Sequence, residues 1–186
     1  MSKMNCSVAR TREALRNAFA KLALENGAEK ISVMDVTKYA GLSRGTFYVH
    51  YEDISALKQD VKAHFEETFD QCLAETDADT PKNAPASVLQ EFSKFILESE
   101  ETCKLVLQTP YCSYFFEKMK QVFTKSMLLD LKRNGVDAPL LPYLLAGGMA
   151  ELYTKYLEGE FECTLLQINE KLMSLYAEEM QQLKAE

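Results

Sequence analysis

Residues 32–51 read SVMDVTKYAGLSRGTFYVHY. Ser32 is suited to cap a helix, and Asp35, three residues on, completes a capping-box pattern. That helix is short, because Gly41 is suited to a left-handed turn. Ser43 then caps a second short helix, roughly Arg44 to Val49. Two short helices around a Gly-containing turn make a helix-turn-helix. Its packing requirements are met one by one. Val36 and Ala40 face the core, Thr37 stands at the helix crossing, Leu42 plugs the gap and Phe47 packs back from the second helix. The outer face of the second helix keeps Arg44, Thr46 and Tyr48. A long cation, a hydroxyl with a methyl and a phenol suit phosphate contacts, base-edge hydrogen bonds and thymine-methyl contacts. The capped helix N-terminus adds a partial positive charge.

Helical period extends outward from this stretch. Leu15, Ala18, Phe19 and Leu22 mark one face of a first helix, roughly Ser7 to Glu25, which stops at Asn26-Gly27. Asp53 caps a long fourth helix to about Ala74, with Leu57, Val61, Phe65 and Phe69 at intervals of four. Asp77 to Pro85 reads as a linker. Further helices are expected near Ala86–Glu98, Glu101–Gln108, Ser113–Asn134 and Ala138–Glu158. Thr164 with Gln167 opens a last helix to about Leu183. No run of alternating residues supports a sheet. The expected fold is all-α, about nine helices, with a helix-turn-helix domain over residues 1–52 and a helical body over residues 53–186.

With 186 residues, 47% apolar and 26% charged, the chain can bury a core without staples. Net charge is −7, which alone would argue against nucleic acid. Its distribution argues the other way. Met1 to His50 holds 8 Lys/Arg against 4 Asp/Glu, and Tyr51 to Glu186 holds 13 against 24. A small basic module on an acidic body follows. Cys6, Cys72, Cys103, Cys112 and Cys163 form no C-x-x-C pair, so buried small apolar residues are expected rather than disulfides. His50 and His64 are too few and wrongly spaced for a metal site. Ala138 to Ala150, interrupted by two prolines and two glycines, is too short to span a bilayer. The first residues lack the apolar core of a signal peptide. The expectation is a cytoplasmic protein without membrane, metal or cofactor.

AGLSRGTFYVHYEDISAL closely resembles the DNA-binding motif of TetR-family transcription regulators, and the resemblance covers about Arg10 to Val61, including LALENG and ISVMDV. It implies an all-helical homodimer, with three N-terminal helices on a palindromic double-stranded operator and a larger body that senses a small molecule. Two departures stand out. Thr37 replaces the family's usual Ala, and Ile54 replaces a Lys that commonly opens the fourth helix and touches a phosphate; Lys58 lies one turn further along. The segment YLLAGGMAELYTKYLEGE is similar to the penultimate helix of a subgroup that includes regulators linked to dihydroxyacetone kinase genes.

The residues expected at DNA are Arg44 and Thr46 for bases, and Thr11, Ser32, Lys38, Ser43, Tyr48 and His50 around them, mostly for phosphates. Aromatic and Met side chains of the body are core by default, but the resemblance places an effector pocket there, with Phe65, Phe69, Phe92, Tyr111, Phe115 and Met119 as its lining. No Arg or His interrupts the apolar faces, so the effector is expected to be apolar or weakly polar. Apolar residues on nearly every side of the Leu140–Leu157 segment call for cover on two sides. The expected dimer interface is Leu145, Gly148, Met149, Leu152, Leu172 and Tyr176. Two other readings compete. Gly41-Leu42-Ser43-Arg44-Gly45 matches the G-x-S-x-G of hydrolases, but that motif needs a preceding strand, and residues 34–40 read as helix. The body could also bind a protein partner, making the chain a DNA-tethered co-regulator with no effector.

Overall fold

Helical periodicity sets nearly every regular element of the computed structural model, which describes residues 3–76 and 84–185. Among the described residues there is no strand. The elements are α1 (Lys3–Asn26), a 3₁₀ turn (Ala28–Lys30), α2 (Val33–Tyr39), α3 (Arg44–His50), α4 (Ile54–Glu75), α5 (Pro85–Glu98), α6 (Glu100–Leu107), α7 (Tyr111–Asn134), α8 (Leu141–Leu157) and α9 (Leu165–Ala185). The expected linker lies, up to residue 83, outside the described residues, and Pro85 opens α5 at its first position.

The boundaries follow local chemistry. Ser32 and Asp35 form both halves of the capping box at α2. At α9 the Thr164 backbone N–H donates to Gln167 Oε1 at 2.8 Å and Gln167 N–H donates back to Thr164 Oγ1 at 3.3 Å. Gly41 and Gly135, at φ of 66° and 67°, adopt the left-handed backbone that lets the chain turn after α2 and α7. Two boundaries differ from expectation. α1 begins at Lys3, and α8 begins at Leu141 because Pro139 disfavours helical backbone at Ala138.

The chain divides into two compact units, Met1–Glu67 with Glu101–Leu105, and Thr68–Glu100 with Val106–Glu186. The first is larger than residues 1–52 because Leu57 and Val61 of α4 belong to its core. That core gathers Leu15, Ala18 and Phe19 of α1, Ile31, Val36 of α2, Phe47 of α3 and Tyr51. Ile54 packs against the same cluster, which accounts for an apolar residue where a Lys was expected.

In the second unit α7 packs on α5 and α8, and α9 on α5 and α8. Phe69, Phe92, Phe115, Met119, Phe123, Met149 and Tyr153 are fully buried there. A polar cluster ties three helices together. The Tyr153 hydroxyl donates to Asn169 Oδ1 at 2.6 Å, and Asn169 Nδ2 donates to Ser93 Oγ at 2.7 Å and to the Leu89 carbonyl at 3.1 Å. Leu145, Met149, Leu172 and Tyr176, expected at a dimer interface, are instead buried in this unit's own core, and Gly148 and Leu152 are half-buried. The outward arc of α8 and the residue before it carry Leu140 (81% exposed), Tyr143 (64%) and Leu144 (73%), followed by Gly147. A helix apolar on all sides does not reveal which side meets its own body. Cys72 and Cys103 are buried, and burial pushes the Cys72 thiol up to about 12, so it is a poor thiolate. The side chain of Cys6 lies outside those described.

An ionic cluster holds the first unit's helices in register. Arg12 pairs with Asp60 Oδ1, Arg16 Nη1 lies 3.2 Å from Asp60 Oδ2, and the Tyr51 hydroxyl donates to the same oxygen at 2.7 Å. The Arg12 guanidinium also lies 5.7 Å from the Tyr51 ring centre. Burial works to raise the Asp60 carboxyl, but the hydrogen bonds from Tyr51 and Arg16 and the charges of Arg12 and Arg16 outweigh it and hold the group below the usual carboxylate range. A folded-state value below the unfolded one contributes stability that is complete above about pH 4 and is lost as pH falls through the folded value. Asp60→Asn is therefore expected to cost about 1–2 kcal/mol near neutral pH, read as a lower urea midpoint. The gap to wild type should close as the pH drops below about 4; a gap of equal size at pH 7 and pH 3 would contradict this account.

Candidate nucleic-acid interface

α3 is seven residues long, and one side chain anchors it. Phe47 is fully buried, with its ring centre 5.6 Å from that of Tyr51, the residue that ends the helix. Helical geometry then turns the opposite side outward. Arg44 and Gly45 are exposed there, as are Tyr48 (58%) and Val49 (79%). Ser43 caps the helix, with its Oγ accepting from the Thr46 backbone N–H at 3.0 Å. α2 crosses behind, and Thr37 is buried between the helices with its hydroxyl donating to the Val33 carbonyl at 2.8 Å. The extra polar atom of Thr37 relative to Ala is thereby satisfied.

The predicted residues fall into two groups. Arg44, Lys38 and Tyr48 are exposed, and neither Arg44 nor Lys38 forms an ion pair among the described residues. The hydroxyls are already engaged within the chain. Thr46 Oγ1 lies 2.9 Å from Ser43 Oγ, Ser32 Oγ donates to Asp35 Oδ2 at 2.6 Å, and Thr11 Oγ1 donates to the Ser7 carbonyl at 2.9 Å. Ser32 and Ser43 are thus first of all helix caps. His50 is half-buried at the end of α3, beside Tyr51. Lys58 pairs with Glu29. Three further cations of the first unit are held by carboxylates: Arg12 and Arg16 by Asp60, and Lys21 by Glu101 at 3.0 Å. Sequence reading missed that cluster, since Asp60 lies 44 residues or more from its arginines. It also passed over Gly45 and Val49 on the outward face.

Ser43 sits between two helices, not after a strand, so the G-x-S-x-G match lacks the strained strand-to-helix turn of a hydrolase elbow. Of the residues expected to line an effector pocket, Phe69 and Phe115 sit in a packed aromatic core of the second unit. The ring centres of Phe69 and Phe115 are 4.7 Å apart and those of Phe69 and Phe95 5.4 Å, while Phe65, Phe92 and Met119 are also buried and Tyr111 is half-buried. A surface cleft of about 640 Å³ opens elsewhere, between α7 and α8, lined by Glu117, Lys120, Thr124, Leu128, Tyr143 and Gly147 among others. No helix among the described residues is long and apolar enough to cross a membrane, and no group of three His, Cys, Asp or Glu among them could hold a metal ion.

No family model matches the chain. The chain is 28% identical to the HTH-type transcriptional regulator AcrR of Shigella flexneri over 127 residues, 67% of this chain and 56% of that protein. It is 36% identical to the HTH-type transcriptional repressor BepR of Brucella suis biovar 1 over 53 residues, 28% of this chain and 25% of that protein. The chain thus spans about half the length of the first of these relatives and a quarter of the second. Its fold is shared with the dihydroxyacetone kinase operon activator DhaS, at a TM-score of 0.62 and 15% identity, over 93% of this chain and 97% of that one. The fully buried Phe47, the outward-facing Arg44 and Tyr48 and the all-helical architecture agree with these likenesses: the chain is similar in sequence to HTH-type transcriptional regulators and shares the fold of DhaS.

Proposed function

We propose that the chain is a sequence-specific DNA-binding transcription regulator, acting as a homodimer on a palindromic operator, and that it represses until a small apolar or weakly polar effector releases it. One observation carries the DNA-binding part. α3 is anchored by Phe47 on one side and presents Arg44, Tyr48 and Val49 to solvent on the other. A short, rigidly held helix with a polar and apolar outer face fits the major groove. Two copies about a two-fold axis would read half-sites one helical turn, or a multiple of it, apart. Repression is the reading by likeness to BepR, a transcriptional repressor; DhaS is an operon activator. Selection of bound duplexes from genomic DNA, followed by reporter assays on the neighbouring genes, tests both the binding and its sign.

The roles of individual residues predict distinct behaviour. Arg44→Ala should cost roughly 1–3 kcal/mol and relax preference at one position per half-site. Lys38→Ala should weaken binding to all sequences alike and reduce the salt slope by about one unit. Gel-shift titrations at several salt concentrations separate the two patterns.

The effector reading is supported by the aromatic core of the second unit, where Phe69, Phe95 and Phe115 touch. Those side chains are packed, so an effector must open them and must bind the open state more tightly to shift the equilibrium. Phe115→Leu is expected to move the effector response at least severalfold with DNA affinity little changed. Thermal-shift screening of metabolite pools supplies the ligand. Absence of any shift, with a protein recovered instead on the DNA-bound chain, would replace the effector by a protein partner.

The dimer reading rests on the outward arc of Leu140, Tyr143, Leu144 and Gly147. A contiguous apolar face of this kind is normally covered. Leu144→Glu is expected to leave folding intact and to shift light scattering from dimer to monomer at micromolar concentration. A monomeric wild type would overturn the two-fold arrangement.

A further inference from the structure

The glycines of this chain fall into two classes. Gly27, Gly41, Gly135 and Gly159 have φ between 66° and 84°, so the backbone itself calls for glycine. Gly45, Gly147 and Gly148 lie inside helices with ordinary φ. A Cβ at Gly147 or Gly148 would meet nothing within 4 Å, and one at Gly45 would meet only Ser43 Oγ at 3.6 Å, an ordinary contact. Neither the backbone nor the interior therefore requires glycine at 45, where it lowers helix stability relative to alanine.

Gly45 also has a telling position. It lies two residues before Phe47, on the opposite side of α3 from the buried ring. Tyr48 and Val49, three and four residues on, are its neighbours on the outer surface, and both are largely exposed. Arg44 precedes it and is exposed too. The outward face of α3 is thus made of larger side chains with one notch. The space a Cβ would fill is open to solvent and bounded by the residues that would face the groove.

We infer that Gly45 is the point of closest backbone approach between α3 and duplex DNA, and that the missing side chain sets how deeply α3 seats in the major groove. This inference rests on the reading of α3 as the DNA-facing helix and adds a residue to it. The glycine costs the helix stability, and a DNA atom in the place of its Cβ accounts for it. An added methyl would hold α3 off the groove and lengthen the contacts of Arg44 and Tyr48 together. The loss should therefore appear as weaker affinity for the selected site, with preference relaxed at several positions at once rather than at one.

The test uses the full chain, a duplex selected by the wild type from a random-sequence pool, and an unselected duplex of equal length. Gly45→Ala should leave the melting temperature equal or slightly higher, since alanine is the better helix former. Its affinity for the selected duplex should fall about tenfold or more, the usual effect of one methyl forced into a well-packed contact. Arg44→Ala is measured in parallel. If Gly45→Ala binds within twofold of wild type while Arg44→Ala loses affinity, this inference fails and the DNA-facing reading of α3 stands. A clearly lower melting temperature for Gly45→Ala would show that the fold itself needs the glycine, which also overturns the inference. If the wild type selects no duplex, the DNA-binding reading fails and takes this inference with it.

Discussion

Burial of the Phe47 ring is the contact on which the rest of the first unit depends. A helix of seven residues is too short to persist alone in water, so α3 exists because tertiary contact holds it. Phe47 sits in a cluster with Leu15, Phe19, Val36, Tyr51 and Leu57, drawn from α1, α2, α4 and the end of α3. Full burial of one such ring is worth about 1.5–3 kcal/mol. Once that side is fixed, 3.6 residues per turn leaves no freedom over which side chains point out. The end of α3 is held separately. Tyr51 terminates the helix and reaches Asp60 of α4, which also gathers Arg12 and Arg16 of α1.

The same cluster changes how the basic character of residues 1–50 should be understood. Arg12, Arg16 and Lys21 contribute to the local positive surplus, yet each faces a carboxylate. Their charges serve the fold. Exposed cations such as Lys38 and Arg44 remain for an external anion. Affinity from counterion release scales with the number of phosphates neutralised. With Arg12, Arg16 and Lys21 engaged in this way, the segment offers fewer cations to an external anion than its sequence count suggests.

The second unit is organised differently. Its interior is aromatic, but its register is set by one polar cluster: Tyr153 of α8, Asn169 of α9, and Ser93 with the Leu89 carbonyl of α5. Among the described residues no buried side-chain nitrogen or oxygen lacks a partner, so the cluster carries no desolvation penalty from an unmet group. Apolar contacts alone tolerate sliding and rotation. Hydrogen bonds of 2.6 and 2.7 Å between three helices do not, and they thereby determine which arc of α8 is turned outward.

Much of this molecule is written in short-range signals. The caps Ser32, Ser43 and Thr164, the turn glycines Gly41 and Gly135, and the apolar spacing of α1 and α4 place the helices to within a few residues. They can do so because capping and turn geometry act over three or four residues and need no partner from elsewhere. The helix-turn-helix belongs to this class too, since Val36, Thr37, Leu42 and Phe47 lie within one short stretch. Other properties were decided only in three dimensions. Leu145, Met149, Leu172 and Tyr176 turned inward while Tyr143, Leu144 and the preceding Leu140 turned outward, although all carry large apolar surfaces on or beside the same two helices. Lys58 was taken by Glu29, and Arg12 and Arg16 by Asp60. The Thr46 hydroxyl was drawn to Ser43. Residue type specifies what a side chain can do, but its partner is set by the direction in which the helix happens to face, and that direction is fixed by contacts dozens of residues away.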